Sequence, residues 1–216
     1  MPLKKSRKTS TKKSTSYASI ARDLVRKANE QENPFSELIA FQTFSRNGLD
    51  LNLVYEKVSK LSPETVQWAF DLLKRNLKTM YEQTQSGWNE RAKYLEMTDA
   101  SARYLIAYNT EGKPLGYSHF RFDMDYGSPV LYCYELQLEV ECRRSGLGRF
   151  MLQVLELMAF RANLEKVVLT VFMQNTAARS FFRSCGYSLD DTSPAVTGDS
   201  AFDYQILSKR NMKRTN

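Results

Sequence analysis

The chain has 216 residues, and its 42% hydrophobic and 12% aromatic content is that of one globular domain with a sizeable core. One histidine and three cysteines without CxxC spacing argue against a His-centred triad, a metal site or a disulfide framework, and predict a reducing compartment. The formal charge is +7, but residues 1–16 hold Lys4, Lys5, Arg7, Lys8, Lys12 and Lys13 and no acid, so +7 less +6 leaves +1 for the other 200 residues. The basic balance therefore belongs to a tail, which argues against a nucleic-acid surface on the body.

No apolar run approaches the ~20 residues of a membrane span and no secretory core is present, so a soluble intracellular protein without a membrane partner is expected. Residues 1–16, rich in Lys, Ser and Thr, are predicted to be a disordered basic tail. A solubilising tail, a nuclear-import signal and a ribosome or nucleic-acid tether all fit that composition. Residues 17–216 are expected to form a single domain, with residues 17–45 as a helical segment packed on it.

Within that segment Tyr17, Ile20, Ala21, Leu24, Val25 and Ala28 fall at helical spacing. A short helix is predicted after Pro34, with Phe35, Leu38, Ile39 and Phe41 on its apolar face. Asn47-Gly48 marks a turn, and Leu49, Leu51, Leu53 and Tyr55 alternate as a first strand. Ser62-Pro63-Glu64 supplies an N-cap, a proline at N1 and a first-turn acid for a helix to about Tyr81. A charged helix follows over residues 89–97, and then a meander over residues 104–108, 115–122 and 131–140.

Residues 131–155 read as a strand, a basic glycine turn and a helix. The strand LYCYELQLEV carries one acid, Glu135, at its centre. The turn Arg143-Arg144-Ser145-Gly146-Leu147-Gly148 precedes a helical pattern through Met151, Leu152, Leu155 and Met158. Glycines let the backbone approach a ligand, and the opening N–H groups of a helix attract an anion. Beyond it, residues 166–172 form a buried strand, residues 176–185 a helix ending at Gly186, and residues 202–207 a last strand. This order predicts an α/β fold with a mixed, twisted sheet, antiparallel at first and containing one parallel crossover.

Arg143-x-x-Gly146-x-Gly148 between strand and helix resembles the acetyl-CoA signature of the GCN5-related N-acetyltransferase (GNAT) family. The run Asn175-Thr176-Ala177-Ala178-Arg179-Ser180-Phe181-Phe182-Arg183-Ser184-Cys185-Gly186-Tyr187 resembles that family's second cofactor segment. The resemblance implies a GNAT fold whose sheet splays at a cleft for acetyl-CoA, with no metal. Leu136, Gln137, Leu138, Arg143, Arg144, Ser145, Gly146, Leu147, Gly148, Arg149, Asn175 and Phe182 are the expected cofactor-binding residues. Phe182 stands where the family often carries a tyrosine that protonates the leaving thiolate, so that proton is expected from elsewhere.

A closer resemblance is to the NatD group of N-terminal acetyltransferases. It rests on Arg46-Asn47-Gly48-Leu49, Trp68-Ala69-Phe70-Asp71-Leu72, Met80-Tyr81-Glu82-Gln83, Ser118-His119-Phe120-Arg121-Phe122-Asp123 and Leu131-Tyr132-Cys133-Tyr134-Glu135 with Gln137-Leu138. That group implies acetylation of the Ser-Gly-Arg-Gly amino termini of histones 4 and 2A by a monomer without an auxiliary subunit, in cytoplasm and nucleus. The group's pattern has a Trp where Ser86 stands here.

An acid in an apolar strand is costly without a role or a partner, and the resemblance places the family's catalytic glutamate at Glu135. By strict alternation Glu135 is expected to share a face with Cys133 and Gln137, opposite Tyr132, Tyr134 and Leu136. Tyr134 is the expected second catalytic residue. Tyr81, Trp88, Asp123, Asp125 and Tyr204 are expected to bind substrate, the two aspartates pairing with the substrate arginine. Residues 121–141 carry Asp123, Asp125, Glu135, Glu139 and Glu141 against Arg121, an expected acidic strip beside the cleft. His119 is expected to be a partner-satisfied strand residue without a role. The alternatives are a GNAT enzyme acting on lysine, another protein N-terminus or a small amine, and a non-catalytic acyl-CoA-binding module.

Overall fold

The structure, a computed structural model, describes residues 9–196 and 202–212. Helix α1 (Thr9–Glu30) is followed by strands β1 (Thr43–Arg46) and β2 (Leu49–Lys57), then by helices α2 (Pro63–Glu82) and α3 (Glu90–Met97). The meander β3 (Arg103–Asn109), β4 (Pro114–Asp125) and β5 (Ser128–Leu138) leads into α4 (Leu147–Arg161). Strand β6 (Lys166–Phe172), α5 (Thr176–Ser184), β7 (Ser188–Leu189) and β8 (Tyr204–Arg210) complete the described chain. The sheet order is β1-β2-β3-β4-β5-β6-β8-β7, antiparallel except for the β5–β6 pair.

Helices cover both faces because each presents one apolar stripe. On one face α1, α4 and α5 bury Ala28, Leu147, Met151, Leu155 and Phe182 against Leu53, Phe120, Leu131 and Leu169. On the other, α2 and α3 bury Phe70, Leu73 and Met97 against Tyr104, Ile106 and Tyr117. Helix α2 begins as its sequence predicts: the Ser62 hydroxyl accepts from the Thr65 N–H at 3.2 Å, with Pro63 in the first turn.

Four local expectations are corrected. Helix α1 starts at Thr9, inside the span 1–16 for which composition predicts disorder, because no Gly or Pro separates those residues from the amphipathic stretch; residues 1–8 lie outside the described residues. The predicted short helix after Pro34 is a turn and a single 3₁₀ turn at Ile39–Phe41, with Phe35 and Leu38 buried and Ile39 76% exposed. Strand β1 was unexpected, although Asn47 and Gly48 both have positive φ and join it to β2 as an Asn-Gly hairpin. At the far end of the chain β7 adds a two-residue edge strand that no periodicity announces.

Candidate active site

Strands β5 and β6 pair only over Val130–Cys133 and Lys166–Leu169, although β5 runs on to Leu138 and β6 to Phe172. The unpaired halves diverge, and a cleft of about 850 Å³ opens there. Its lining includes Leu136, Gln137 and Leu138 from β5, Arg143, Arg144, Gly146, Gly148 and Arg149 from the turn and α4, and Asn175 and Phe182 at α5. Arg144 (φ 61°) and Gly146 (φ 96°) are both left-handed, and such an alternation turns successive N–H groups toward one anion. Helix α4 has no side-chain cap at Gly146, and although Ser145 takes the Leu147 N–H, the N–H groups of Gly148 and Arg149 in its first turn remain for a ligand. At Gly148 an added Cβ would lie 3.2 Å from Phe181 Cζ, tighter than ordinary contact, so a side chain there would have to push the Phe181 ring aside where α4 meets α5.

The other expected cofactor residues divide into contact and support. Ser145 donates its hydroxyl to the Cys142 carbonyl at 2.7 Å and accepts from the Leu147 N–H at 3.3 Å, while Leu147 is buried in the core. Both shape the turn from behind, and neither side chain lines the cleft. Asn175 caps α5 through the Ala178 N–H at 3.1 Å, so its side-chain oxygen is already engaged. Arg149 spans to the Ser184 carbonyl and hydroxyl, each at 3.1 Å.

A second cavity of about 570 Å³ shares Leu77, Leu136, Gln137, Asn175, Ala178 and Phe182 with the cleft. Tyr81, Ser86, Lys93, Glu96, Tyr132, Tyr134, Glu135, Phe172 and Tyr204 close its remaining walls. Glu135 is 4% exposed and lines this second cavity, immediately before the shared residues Leu136 and Gln137. Gln137 donates to its Oε2 at 2.9 Å, and Lys93 Nζ lies 3.4 Å from its Oε1. Burial pushes the Glu135 carboxyl above its ordinary value, against the opposing pull of Lys93 and Gln137. Burial also works against the Lys93 ammonium, but Glu135, Tyr81 and Glu96 outweigh it and hold Lys93 charged. The result is a buried carboxylate with a raised proton affinity on the wall of the second cavity, next to the residues Leu136 and Gln137 that both spaces share. That is what a general base requires.

The alternation expected along β5 fails at one residue. His119 pairs with Glu135 and Phe120 with Cys133, so Tyr134 is an extra residue in the ladder, a β-bulge. Cys133 therefore packs into the core beside α4, while Glu135 faces α3 and Gln137 faces α2. The bulge puts Tyr132, Tyr134 and Glu135 together on the cavity wall. Tyr134 stacks on His119 at 5.0 Å, with the Arg121 guanidinium carbon 4.5 Å from its ring centroid. His119 is not partner-satisfied by hydrogen bonds as expected. It is fully buried between the rings of Tyr104 and Tyr134, and neither ring nitrogen has a partner among the described residues. Burial, then Arg121 and Lys93, lower its pKa to about 3, so it stays neutral.

Tyr81 and Tyr204 line the second cavity. Trp88 stands behind that wall, its ring edge-on to Tyr81 at 5.4 Å. Asp123 and Asp125 are at the distal end of the β4–β5 hairpin, outside the cavity lining. Asp123 pairs with Val130, five residues before Glu135, which is roughly 16 Å along the strand. The expected acidic strip is therefore dispersed: Glu139 is held by Trp68 at 3.1 Å and Arg75 at 2.7 Å, and Glu141 lies 3.8 Å from Lys113. Sequence reasoning missed Lys93, Glu96, Asn76 and the pair Tyr132–Thr170, whose hydroxyls are 2.6 Å apart. A lysine and a glutamate on a short polar helix carry no signal, and Asn76 only gains meaning from the α2–β5 packing. Among the described residues no group of histidine, cysteine and carboxylate side chains could hold a metal ion.

Comparison with known proteins agrees with this geometry. The model of the acetyltransferase (GNAT) family matches residues 68–187, from α2 through the turn after α5. A GNAT-family acetyltransferase from Listeria monocytogenes superimposes with a TM-score of 0.55 at 11% identity, over 78% of this chain and 99% of that one. The PaiA N-acetyltransferase of Thermoplasma acidophilum, solved with coenzyme A, gives 0.52 at 17% identity over 74% and 99%. Spermidine N-acetyltransferase of Vibrio cholerae, solved with CoA and spermine, gives 0.52 at 14% over 74% and 96%. With the family model spanning more than half of the sequence, and the splayed sheet, anion turn and buried carboxylate in place, the chain belongs to the GNAT family of acetyltransferases, which take acetyl-CoA as acetyl donor.

Proposed function

We propose that this acetyltransferase acts on a protein N-terminal α-amine, and specifically on Ser-Gly-Arg-Gly termini such as those of histones 4 and 2A. The observation that carries the reading is the buried carboxylate of Glu135 in the wall of an aromatic-lined cavity that adjoins the cofactor cleft. An α-amine has a pKa of about 7.7–8.0 against about 10.4 for lysine, so roughly a quarter is neutral at pH 7.4 against about a thousandth of lysine. One carboxylate is sufficient for the first.

Acetyl-CoA supplies a thioester. The turn N–H groups and Arg143 hold its phosphates, and the facing edges of β5 and β6 take its extended arm. Glu135 accepts the ammonium proton, leaving the amine lone pair free to form the C–N bond as the C–S bond breaks; the nitrogen then sheds its surplus proton, which balances the one the departing thiolate takes up. Phe182 cannot return a proton to sulfur; Tyr134 and Tyr204, which line the same cavity, carry hydroxyls suited to that role. A peptide leading from Glu135 along the β4–β5 hairpin brings its third residue toward Asp123 and Asp125. They lie on the face of Arg121, opposite buried Phe120 and Phe122. The sequence blocks shared with the NatD group support the substrate, and nuclear and cytoplasmic location follows from it.

A small polyamine is the second reading. Glu96 and Glu135 in the cavity wall suit a cation, and the Vibrio neighbour was solved with spermine. Steady-state turnover on Ser-Gly-Arg-Gly peptide, on the same peptide with a blocked amine, and on spermidine separates the two. Activity confined to the free peptide is expected. Preference for spermidine would overturn the peptide reading.

A further inference from the structure

Three side chains connect the cofactor cleft to Glu135 without a gap. Arg143 Nη2 donates to Asn76 Oδ1 at 2.7 Å. Asn76 Nδ2 donates to Gln137 Oε1 at 3.0 Å, and Gln137 Nε2 donates to Glu135 Oε2 at 2.9 Å. A guanidinium can only donate and a carboxylate can only accept, so a single orientation of both amides satisfies the whole chain. Every donor then points from the cation at the phosphate site toward the anion at the reacting site. Bonds aligned this way polarise one another, more strongly where water is excluded. Arg143 is exposed in the cleft, while Gln137 and Glu135 are buried.

We propose that Asn76 and Gln137 are positioning residues that link Arg143 to Glu135, so that engagement of Arg143 by the donor's phosphates makes the base more basic. The chain stabilises the Glu135 carboxylate and fixes its orientation. A phosphate that draws the Arg143 guanidinium away from Asn76 Oδ1 removes charge from the head of the chain, and the carboxylate holds its proton more tightly. The base is then strongest when the donor is in place. Other groups face Glu135 as well: Lys93 and Glu96 from α3, Tyr81 from α2, Tyr104 from β3, Tyr117 from β4 and Cys133 on its own strand. None of these lies between Glu135 and Arg143, so a change at Asn76 isolates the chain.

The inference rests on Glu135 as the base, and its test needs no turnover. Carboxyl-¹³C glutamate labelling gives the Glu135 titration by NMR, with the signal assigned by its loss in Glu135→Gln. Arg143→Gln should raise the midpoint by about half a unit, a threefold change in the ionised fraction. In an Asn76→Leu background Arg143→Gln should have no further effect. Saturation with CoA should raise the midpoint more in the unmodified protein than in Asn76→Leu. Asn76→Ser, too short to bridge, replaces Asn76→Leu if the latter does not fold. An unchanged midpoint in Arg143→Gln, or equal shifts in both backgrounds, overturns the coupling and leaves Glu135 as base to be judged by turnover of Glu135→Gln.

Discussion

Replacing Glu135 by glutamine removes one ionisable oxygen from the wall of the second cavity and changes little else in volume. The carboxylate now accepts from Gln137 on one oxygen and lies beside Lys93 on the other. A glutamine keeps one acceptor and turns its NH₂ group toward the second donor, so one of the two contacts is lost with the base. Lys93 keeps its partner Glu96 at 2.7 Å, so no unpaired cation is left behind. The fold should tolerate the change. Positioned proton transfer contributes about 10²–10⁴-fold to rate. The lower end applies here, because roughly a quarter of an α-amine is already neutral at pH 7.4. We expect kcat to fall by about 10²-fold, measured as thiol release from acetyl-CoA with Ser-Gly-Arg-Gly peptide. CoA affinity, measured by calorimetry, should stay within about twofold, since the anion turn is untouched. Near-normal kcat in a folded variant would remove Glu135 from the mechanism.

Three further outcomes follow from named contacts. Lys93 lowers the proton affinity of Glu135, so Lys93→Met should move the acid limb of the kcat–pH profile to higher pH, with activity recovered as pH rises; an unmoved limb contradicts the pairing. The ion pair Lys166–Asp190, 2.6 Å long and almost wholly buried, should resist disruption. Burial opposes the Asp190 anion, but Lys166, Ser208 and Thr192 outweigh it and depress its pKa, so this stability is present at neutral pH and lost as pH falls through the acid range. Lys166→Met should cost about 3–5 kcal/mol in urea unfolding at pH 7, and a loss under 1 kcal/mol would show that the pair contributes little. Charge reversal at Asp123 and Asp125 together should raise KM for Ser-Gly-Arg-Gly peptide by at least about tenfold with kcat largely kept, and an unchanged KM would remove them from the peptide path.

Much of this site is legible in the sequence because it is local. The glycine turn, the strand before it and the helix after it are consecutive, and each leaves its mark within a few residues. Gly146 needs its left-handed φ of 96° whatever the rest of the chain does, and Ser62-Pro63 caps α2 from within its own turn. Glu135 stands out because an acid in an apolar strand is conspicuous at any register. What the sequence conceals depends on packing between distant elements. The bulge at Tyr134 changes which residues share a face, and no periodicity signals it. Lys93 reads as one more charge on a polar helix until α3 brings it 3.4 Å from Glu135. Asn76 and Gln137 are ordinary amides until α2 lies across β5. The acidic strip failed for the opposite reason: residues close in sequence are far apart along an extended strand, and Glu139 and Glu141 find their partners on α2 and before β4.

The most direct test of α-amine acetylation is to locate the acetyl group on an acceptor that offers both kinds of amine. A Ser-Gly-Arg-Gly-Lys peptide incubated with acetyl-CoA and the enzyme, then sequenced by tandem mass spectrometry, should carry the acetyl group on the serine amine alone. Acetylation of the lysine side chain, with the serine amine left free, would contradict the account.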